Sequence, residues 1–264
     1  MLSVIIPSYK DPLLVKTIGS LLANADDELE IIAVLDGYWP SFELIPDPRV
    51  RYVHLGENRG MRGAINAGVA IAQGEYVMRT DEHCMFAKGY DVALVKDCAP
   101  NWIVTPRRYF LDPIKWEVMD SAPVDYEKLI IQKVNDEVSK FAGARWNNRA
   151  KERQNRMVDG TMAMQGSCWM MPHAWWDKVI GELQTEGYGP LYGDSHEMVF
   201  KTWKAGGRLM VNKKTWFAHK HRSFSRTHND GTVENPANKD AGWMYSLQVW
   251  GDYYRKEIKP AWGI

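Results

Sequence analysis

The chain has 264 residues, 45% hydrophobic and 25% charged, enough to fold around one large core. Its 33 basic and 33 acidic side chains cancel, so no global field draws it to nucleic acid or an anionic membrane. Three cysteines, Cys84, Cys98 and Cys168, with no Cys-x-x-Cys pair, argue against a disulfide framework or structural zinc and fit a reducing, cytoplasmic setting.

Leu2-Ser3-Val4-Ile5-Ile6-Pro7 reads as a buried strand, followed by a turn at Lys10-Asp11-Pro12. No basic and apolar leader precedes it, and no run of about 18 apolar residues occurs anywhere, so neither a signal peptide nor a membrane span is expected. From Leu13, Leu14, Ile18, Leu21 and Leu22 recur at helical spacing, and Glu30 to Leu35 forms a second strand closing on Asp36-Gly37. Strand, helix, strand is a βαβ unit, which predicts an α/β fold with a parallel sheet. Val50 to Leu55 reads as a third strand, Met61 to Ala72 as a second helix after the Asn58-Arg59-Gly60 turn, and Tyr76 opens a fourth strand after the Gly74 stop. Ligands of such sheets sit beyond the carboxyl ends of strands, where Asp36 and Asp81 both fall.

The fourth strand runs into Asp81-Glu82-His83-Cys84. Residues i and i+2 of an extended chain share a side, so Asp81 and His83 are expected to face one site. A carboxylate with an imidazole suits a borderline ion such as Mn²⁺, whereas Mg²⁺ favours oxygen ligands but is compatible. Substrate phosphate oxygens would fill the open positions.

Farther on, the pattern predicts a helix from Tyr90 to Lys96, a strand from Trp102 to Thr105 and an amphipathic helix from Tyr126 to about Val138. Phe141 to Met157 is basic, with Arg145, Arg149, Lys151, Arg153 and Arg156 around Trp146, and reads as a solvated or mobile loop, with acidic-substrate binding as the alternative. Gln165 to Met170 reads as a strand whose Gly166 and Ser167 permit close approach of a ligand. Gly193 to Gly207, with acids at its opening, a helical apolar face at Met198, Val199 and Trp203 and a glycine stop, reads as a helix. Arg208 to Val211 makes a further strand, Trp216 to Arg222 follows, and the tail from Trp243 to Trp262 is expected to pack over the core. Twelve Trp and twelve Tyr supply heavy core material and faces suited to stacking on sugars or bases.

The order of these motifs resembles that of GT-A glycosyltransferases of the family 2 type and, in finer detail, of the polypeptide N-acetylgalactosaminyltransferases. Four blocks carry the likeness: Ser3 to Tyr9; Asn58 to Ala64; Asp81-Glu82-His83-Cys84, resembling the Asp-x-His-Cys metal motif; and Gly193 to Gly207, resembling the Gly-Glu-Asn-x-Glu helix. The resemblance implies a GT-A, Rossmann-like, mostly parallel sheet flanked by helices. Residues 1–222 would be the catalytic domain, with a nucleotide-binding half to about 100 and an acceptor half beyond, and residues 223–264 a lid and aromatic tail. It further implies Asp81, His83 and His219 as metal ligands; Asp36 on the donor's nucleoside; Arg62 on its pyrophosphate or nucleoside; and Pro7, Tyr9 and Asn58 in the donor set. Gly166, Ser167, Asp194 and Glu197 would face the transferred sugar or acceptor, with Asp194 and Glu197 the catalytic pair. Three features depart from the family pattern: nothing resembles its membrane anchor or lectin domain, Asp194 replaces a glutamate, and Cys84 lacks an evident disulfide partner.

The function implied is metal-dependent transfer of a sugar from a nucleotide-diphosphate donor, a uridine one by resemblance, to an acceptor hydroxyl. Lys220, His221 and Arg222 would form a loop closing on the phosphates, or an exposed surface loop. Ser195 occupies the position of the base aspartate of inverting relatives, and serine is a poor base, so retention is expected. A shift of one residue would make Asp194 the base of an inverting enzyme. A nucleotidyltransferase competes, but Pro7 to Pro12 is not the glycine-rich basic loop such an enzyme carries, and a degenerate sugar-nucleotide-binding module is the non-enzymatic alternative. Protein, glycan, lipid-linked sugar and modified nucleic acid remain open as acceptors, the last through the basic stretch around Trp146.

Overall fold

The computed structural model describes residues 1–189, 193–221 and 236–264. β1 (Leu2–Ser8), α1 (Leu14–Asn24), β2 (Leu29–Asp36), β3 (Val50–Leu55), α2 (Gly60–Val69) and β4 (Tyr76–Thr80) follow one another as the periodicity predicts. β4, β1, β2 and β3 lie side by side and parallel. β1, β2 and β4 are covered on both faces and mostly apolar, whereas the edge strand β3 is only partly buried and carries Arg51 and His54. Leu2, Val4 and Ile6 with Ile31, Ala33 and Leu35 pack toward Leu14, Ile18 and Leu21 of α1, whereas Ile5, Ile32 and Val34 pack toward Ala64, Ile65 and Val69 of α2. Period-two alternation thus divides each strand between two cores.

Beyond β4 come β5 (Cys84–Phe86), α3 (Tyr90–Lys96), β6 (Trp102–Asp112), β7 (Glu117–Val118), β8 (Glu127–Lys133), β9 (Ser139–Arg145), α4 (Asn147–Glu152), β10 (Val158–Gly160) and β11 (Cys168–Pro172). α5 (His173–Trp175) runs into a π-helical turn at Trp176–Ile180, then α6 (Asp194–Lys204), β12 (Arg208–His219), α7 (Pro236–Tyr253), a second π-helical turn at Tyr254–Ile258 and α8 (Lys259–Ala261). The main sheet has the order β10-β12-β6-β11-β4-β1-β2-β3. β11 is antiparallel to both β4 and β6, while β12 is parallel to β6. The carboxyl ends of β1, β2, β4, β6 and β12 therefore meet at one edge, together with the amino end of β11. That edge is where Asp36, Asp81, Ser167 and His219 gather.

Two expectations fail in the second half. The segment Tyr126 to Val138 is not a helix but the first strand and turn of a hairpin, β8 paired with β9. Leu129 is buried and Ile131 pairs across the hairpin with Phe141, both facing Phe200, Tyr254 and Ile258. Adjacent Ile130 and Ile131 favour the extended chain. Asn135 closes the turn by accepting from the Glu137 and Val138 N–H groups at 3.0 and 2.8 Å. Nor is Phe141 to Met157 a loop: its first part is β9, and α4 follows. Arg149 is held by Asp159 at 3.2 Å and by the Gly160 carbonyl at 2.8 Å, and lies over the Trp146 and Trp262 rings. β12 joins the Arg208 strand to Trp216–His219 through a register shift after Asn212.

The C-terminal aromatics pack on this hairpin and α6. Trp250 stacks on Phe200 at 5.2 Å, and the Tyr254 hydroxyl donates to the Leu129 carbonyl at 2.8 Å. Among the described residues no helix is long and apolar enough to cross a membrane.

Candidate active site

The site begins where β4 ends. The Asp81 N–H donates to the Ser167 carbonyl at 3.0 Å, which continues the β4–β11 ladder one step past the strand and fixes the carboxylate at the sheet edge. Arg79 donates to Asp81 Oδ1 at 2.6 Å. His219 closes β12 opposite Cys84 of β5, and its Nε2 lies 3.0 Å from Asp81 Oδ2. His83 Nε2 is 3.9 Å from the same oxygen. One ligand atom from each of the three residues falls within 4.8 Å of the others, as the Asp-x-His spacing and the resemblance predict.

The electrostatics suit a cation. Burial alone would raise the Asp81 carboxyl, but the Arg79 guanidinium and both histidines hold it well below the usual carboxylate range. Burial pushes His219 down to about 4 against the opposing pull of Asp81, so it is a neutral imidazole at physiological pH, the form that ligates a metal. Its Nδ1 is buried with no hydrogen-bond partner among the described residues. One carboxylate and two imidazoles form a donor set that fits Mn²⁺.

Asp11, read from the sequence only as part of a turn, belongs to this centre. Its Oδ2 lies 3.1 Å from His83 Nδ1, and its Oδ1 accepts from the Leu13 N–H at 2.9 Å, just ahead of α1. Lys10 takes a left-handed φ of 58°, turning the chain so that Asp11 reaches back to the histidine. An aspartate on Nδ1 fixes the tautomer and directs Nε2 toward Asp81. Asp11→Asn is therefore expected to weaken Mn²⁺ binding by about 10- to 100-fold, read by calorimetry, and an unchanged affinity would remove Asp11 from the centre. Glu82, the spacer of the motif, is buried and accepts from the Tyr9 N–H at 2.9 Å, tying the end of β1 to the metal loop.

A cleft lined by Pro7, Ser8, Tyr9, Asp36, Met61, Asp81 and Glu82 adjoins this centre. Asp36 accepts from the Arg59 N–H at 2.7 Å, and Asn58 donates to the Asp36 carbonyl at 3.1 Å. Gly37 makes the approach of these loops feasible. Its φ is +71°, and a Cβ there would lie 2.2 Å from the Asn58 nitrogen. Tyr9 and Tyr38 meet edge to face at 5.8 Å beside the cleft.

The structure brings Gly166 and Ser167 to the centre and sets Asp194 next to them. A Cβ on Gly166 would meet Ser195 Oγ at 3.4 Å and Asp194 Oδ2 at 3.8 Å. Asp194 Oδ2 and Ser167 Oγ are buried without partners among the described residues. Such atoms are costly to leave bare and suit a polar ligand.

Arg62 and Glu197 are placed elsewhere than at an open donor surface. Both side chains are buried and ion-paired through Arg62 Nη1, which also donates to the Gln184 carbonyl at 2.9 Å while the guanidinium lies 4.3 Å from the Tyr188 ring. Lys201 reaches Glu197 Oε1 at 2.8 Å. His221 stands near the centre, its ring 5.0 Å from that of His219. Arg222, the last residue of the stretch expected to cover the phosphates, lies outside the described residues.

His196, between Asp194 and Glu197, has its ring 6.3 Å from Phe141. Burial, with Arg62 and Lys140 adding to it, pushes it down to about 4. Unfolded, it would take a proton near the ordinary 6.5, so from there down to about 4 the unfolded state binds more protons and stability falls as pH falls. His196→Asn should flatten part of that fall, by roughly 1–3 kcal/mol between pH 7 and 4.5, read as the difference between the two proteins in urea unfolding. All three cysteines are free, and burial raises the Cys84 and Cys168 thiols.

The chain is similar to proteins of known name. A Drosophila melanogaster protein named polypeptide N-acetylgalactosaminyltransferase 13 is 25% identical over 226 residues, covering 75% of this chain and 37% of that protein. The succinoglycan biosynthesis protein ExoO of Rhizobium meliloti (strain 1021) is 38% identical over 72 residues, 26% of this chain and 21% of its own. This chain thus spans well under half the length of either relative. Among solved structures, GalNAc-T7 with UDP, GalNAc and Mn²⁺ superposes with a TM-score of 0.74 at 16% identity, covering 98% of this chain and 50% of that one. S. aureus TarS 1-349 superposes at 0.53 with 13% identity, covering 83% and 60%. These likenesses show the GT-A fold, and the family model for glycosyl transferase family 2 matches residues 3–180. The chain therefore belongs to glycosyl transferase family 2 and has the GT-A fold.

Proposed function

We propose that this chain transfers a sugar from a UDP-sugar to an acceptor hydroxyl, with Mn²⁺ held by Asp81, His83 and His219 and with retention at the anomeric carbon. The convergence of those three ligands at the sheet edge, beside the cleft of Tyr9 and Asp36, carries the reading. The metal would supply electrostatic stabilisation of the departing diphosphate. Asp36, Tyr9 and Pro7 line the nucleoside side, with Asn58 buttressing Asp36 from behind. Arg62 acts on the donor indirectly, by holding the wall of α2 against α6 through Glu197. Gly166 leaves room for the sugar, and Ser167 Oγ and Asp194 Oδ2 offer it hydrogen-bonding atoms that lack partners among the described residues. His221, Arg222 and the segment after them would close over the phosphates and keep water from the reacting carbon. Residues 1–100 would then serve the donor, residues 101–222 the acceptor, and residues 223–264 the lid and its aromatic anchor. Free, buried Cys84 and Cys168 suit a reducing, cytoplasmic setting.

A second reading has an observation of its own. The bare Asp194 Oδ2 beside Gly166 is the kind of group that takes a proton from an attacking hydroxyl, which would give inversion. Calorimetry of UDP, UDP-glucose and UDP-N-acetylgalactosamine with and without Mn²⁺, on wild type and His83→Ala, tests the donor site. Metal-dependent UDP binding lost in the variant is expected, and no uridine nucleotide binding with metal present would defeat the assignment. Proton NMR of the sugar first released by slow donor hydrolysis separates the stereochemistries: the α anomer means retention, the β anomer inversion through Asp194.

A further inference from the structure

Three arginines are more than nine-tenths buried among the described residues: Arg62, Arg79 and Arg108. The first two donate to carboxylates, Glu197 and Asp81. Arg108 donates to none among the described residues. Its Nε is buried without a partner among the described residues, and its side-chain contact is with the face of Phe110 at 5.5 Å. Its neighbour Arg107, by contrast, is satisfied by both oxygens of Asp125 at 2.6 and 2.8 Å. A buried guanidinium ordinarily has its donors matched by oxygen acceptors.

Arg108 is also rigidly placed. Its backbone exchanges hydrogen bonds with Val124 at 3.3 and 2.8 Å. Arg145 of β9 stands over the same Phe110 ring at 5.0 Å, and the His221 ring lies 5.2 Å from it. Among the described residues the carboxylate facing the two arginines is Glu127, opposite Arg145 in the hairpin register and already accepting from Gln165. Two guanidiniums against one carboxylate leave a positive excess.

The position of this cluster assigns its role. Phe110 pairs with His219 in the β6–β12 register, so the cluster borders the metal centre on the β6–β12 flank, whereas Tyr9 and Asp36 lie on the β1–β2 flank. We infer that Arg108 and Arg145, with Phe110 and His221, form a binding site for an oxyanion, phosphate or carboxylate, carried by the acceptor. This rests on the transferase reading and adds to it that the acceptor is anionic. The bidentate fork of arginine matches either oxyanion, and the Phe110 face supports the guanidiniums beside it.

The test uses the full chain saturated with Mn²⁺ and UDP, titrated with phenyl phosphate and with benzoate, on wild type, Arg108→Met and Arg145→Ala. Binding of one probe to the wild type is expected, and which one tells phosphate from carboxylate. Arg108→Met should weaken it about tenfold or more and Arg145→Ala about threefold, with UDP affinity within about twofold in both. If Arg108→Met does not fold, Arg145→Ala, at an exposed position, decides. With UDP bound, failure of both probes to bind, or binding indifferent to the variants, overturns the inference. So does a tenfold loss of UDP affinity in either variant, since the arginines would then serve the donor diphosphate. Failure of the wild type to bind UDP at all would instead sink the transferase reading.

Discussion

Asp81→Asn is expected to lower Mn²⁺-dependent UDP affinity by about 100-fold and turnover of a UDP-sugar by about 1,000-fold. The amide keeps the shape of the side chain and can still accept from Arg79 at the Oδ1 position, so the buried guanidinium retains its partner. What is lost is the negative charge between His83 and His219, which would help hold a dication there. Thermal stability should move little by comparison. Calorimetry with and without metal, beside a melting curve, checks both parts; a variant that binds UDP with Mn²⁺ as tightly as wild type would show that the three-residue centre is not the metal site. Asp81→Ala is a poorer probe, because it leaves Arg79 buried without its carboxylate and mixes a folding defect with the binding one.

Glu197→Ala should have the largest effect on folding, a loss of about 3–5 kcal/mol. The side chains of Glu197 and Arg62 are 1% and 0% exposed, so truncating the carboxylate strands a guanidinium that water does not reach. Lys201 and the Gln184 N–H lose the same acceptor, leaving the Lys201 bonds to the Ile180 and Glu182 carbonyls to hold this segment to α6. Glu197→Gln, which keeps an acceptor for Arg62, should cost about 1–3 kcal/mol. Urea denaturation of both variants measures this. A Glu197→Ala protein as stable as wild type but without turnover would mean that the residue contacts the sugar and that its pairing with Arg62 is incidental.

The first half of the fold could be read along the chain because its information is local. The alternation in Val4-Ile5-Ile6 and Ile31-Ile32-Ala33-Val34 and the helical spacing of Leu14, Ile18 and Leu21 each lie within a dozen residues. Asp81 and His83 were legible for the same reason, since two residues apart on an extended chain is a statement about direction. The hairpin of β8 and β9 was not, because Tyr126 to Val138 satisfies a helical pattern as well as an alternating one. The choice is made by Phe200, Tyr254 and Ile258, which come from α6 and the C-terminal turn.

Within the site the division is similar. Residue types and order in the sequence, with the resemblance they carry, pointed to the family, to Asp81, His83 and His219 as one cluster, and to the cleft residues Tyr9 and Asp36. The tertiary structure alone decided which charges are already spent: Arg62 on Glu197, Asp11 on His83, Glu82 on the Tyr9 backbone, and Arg108 on no acceptor among the described residues. A sequence lists donors and acceptors, but pairing and desolvation depend on partners 70 to 140 residues away, brought within about 3 Å only when the sheet edge assembles.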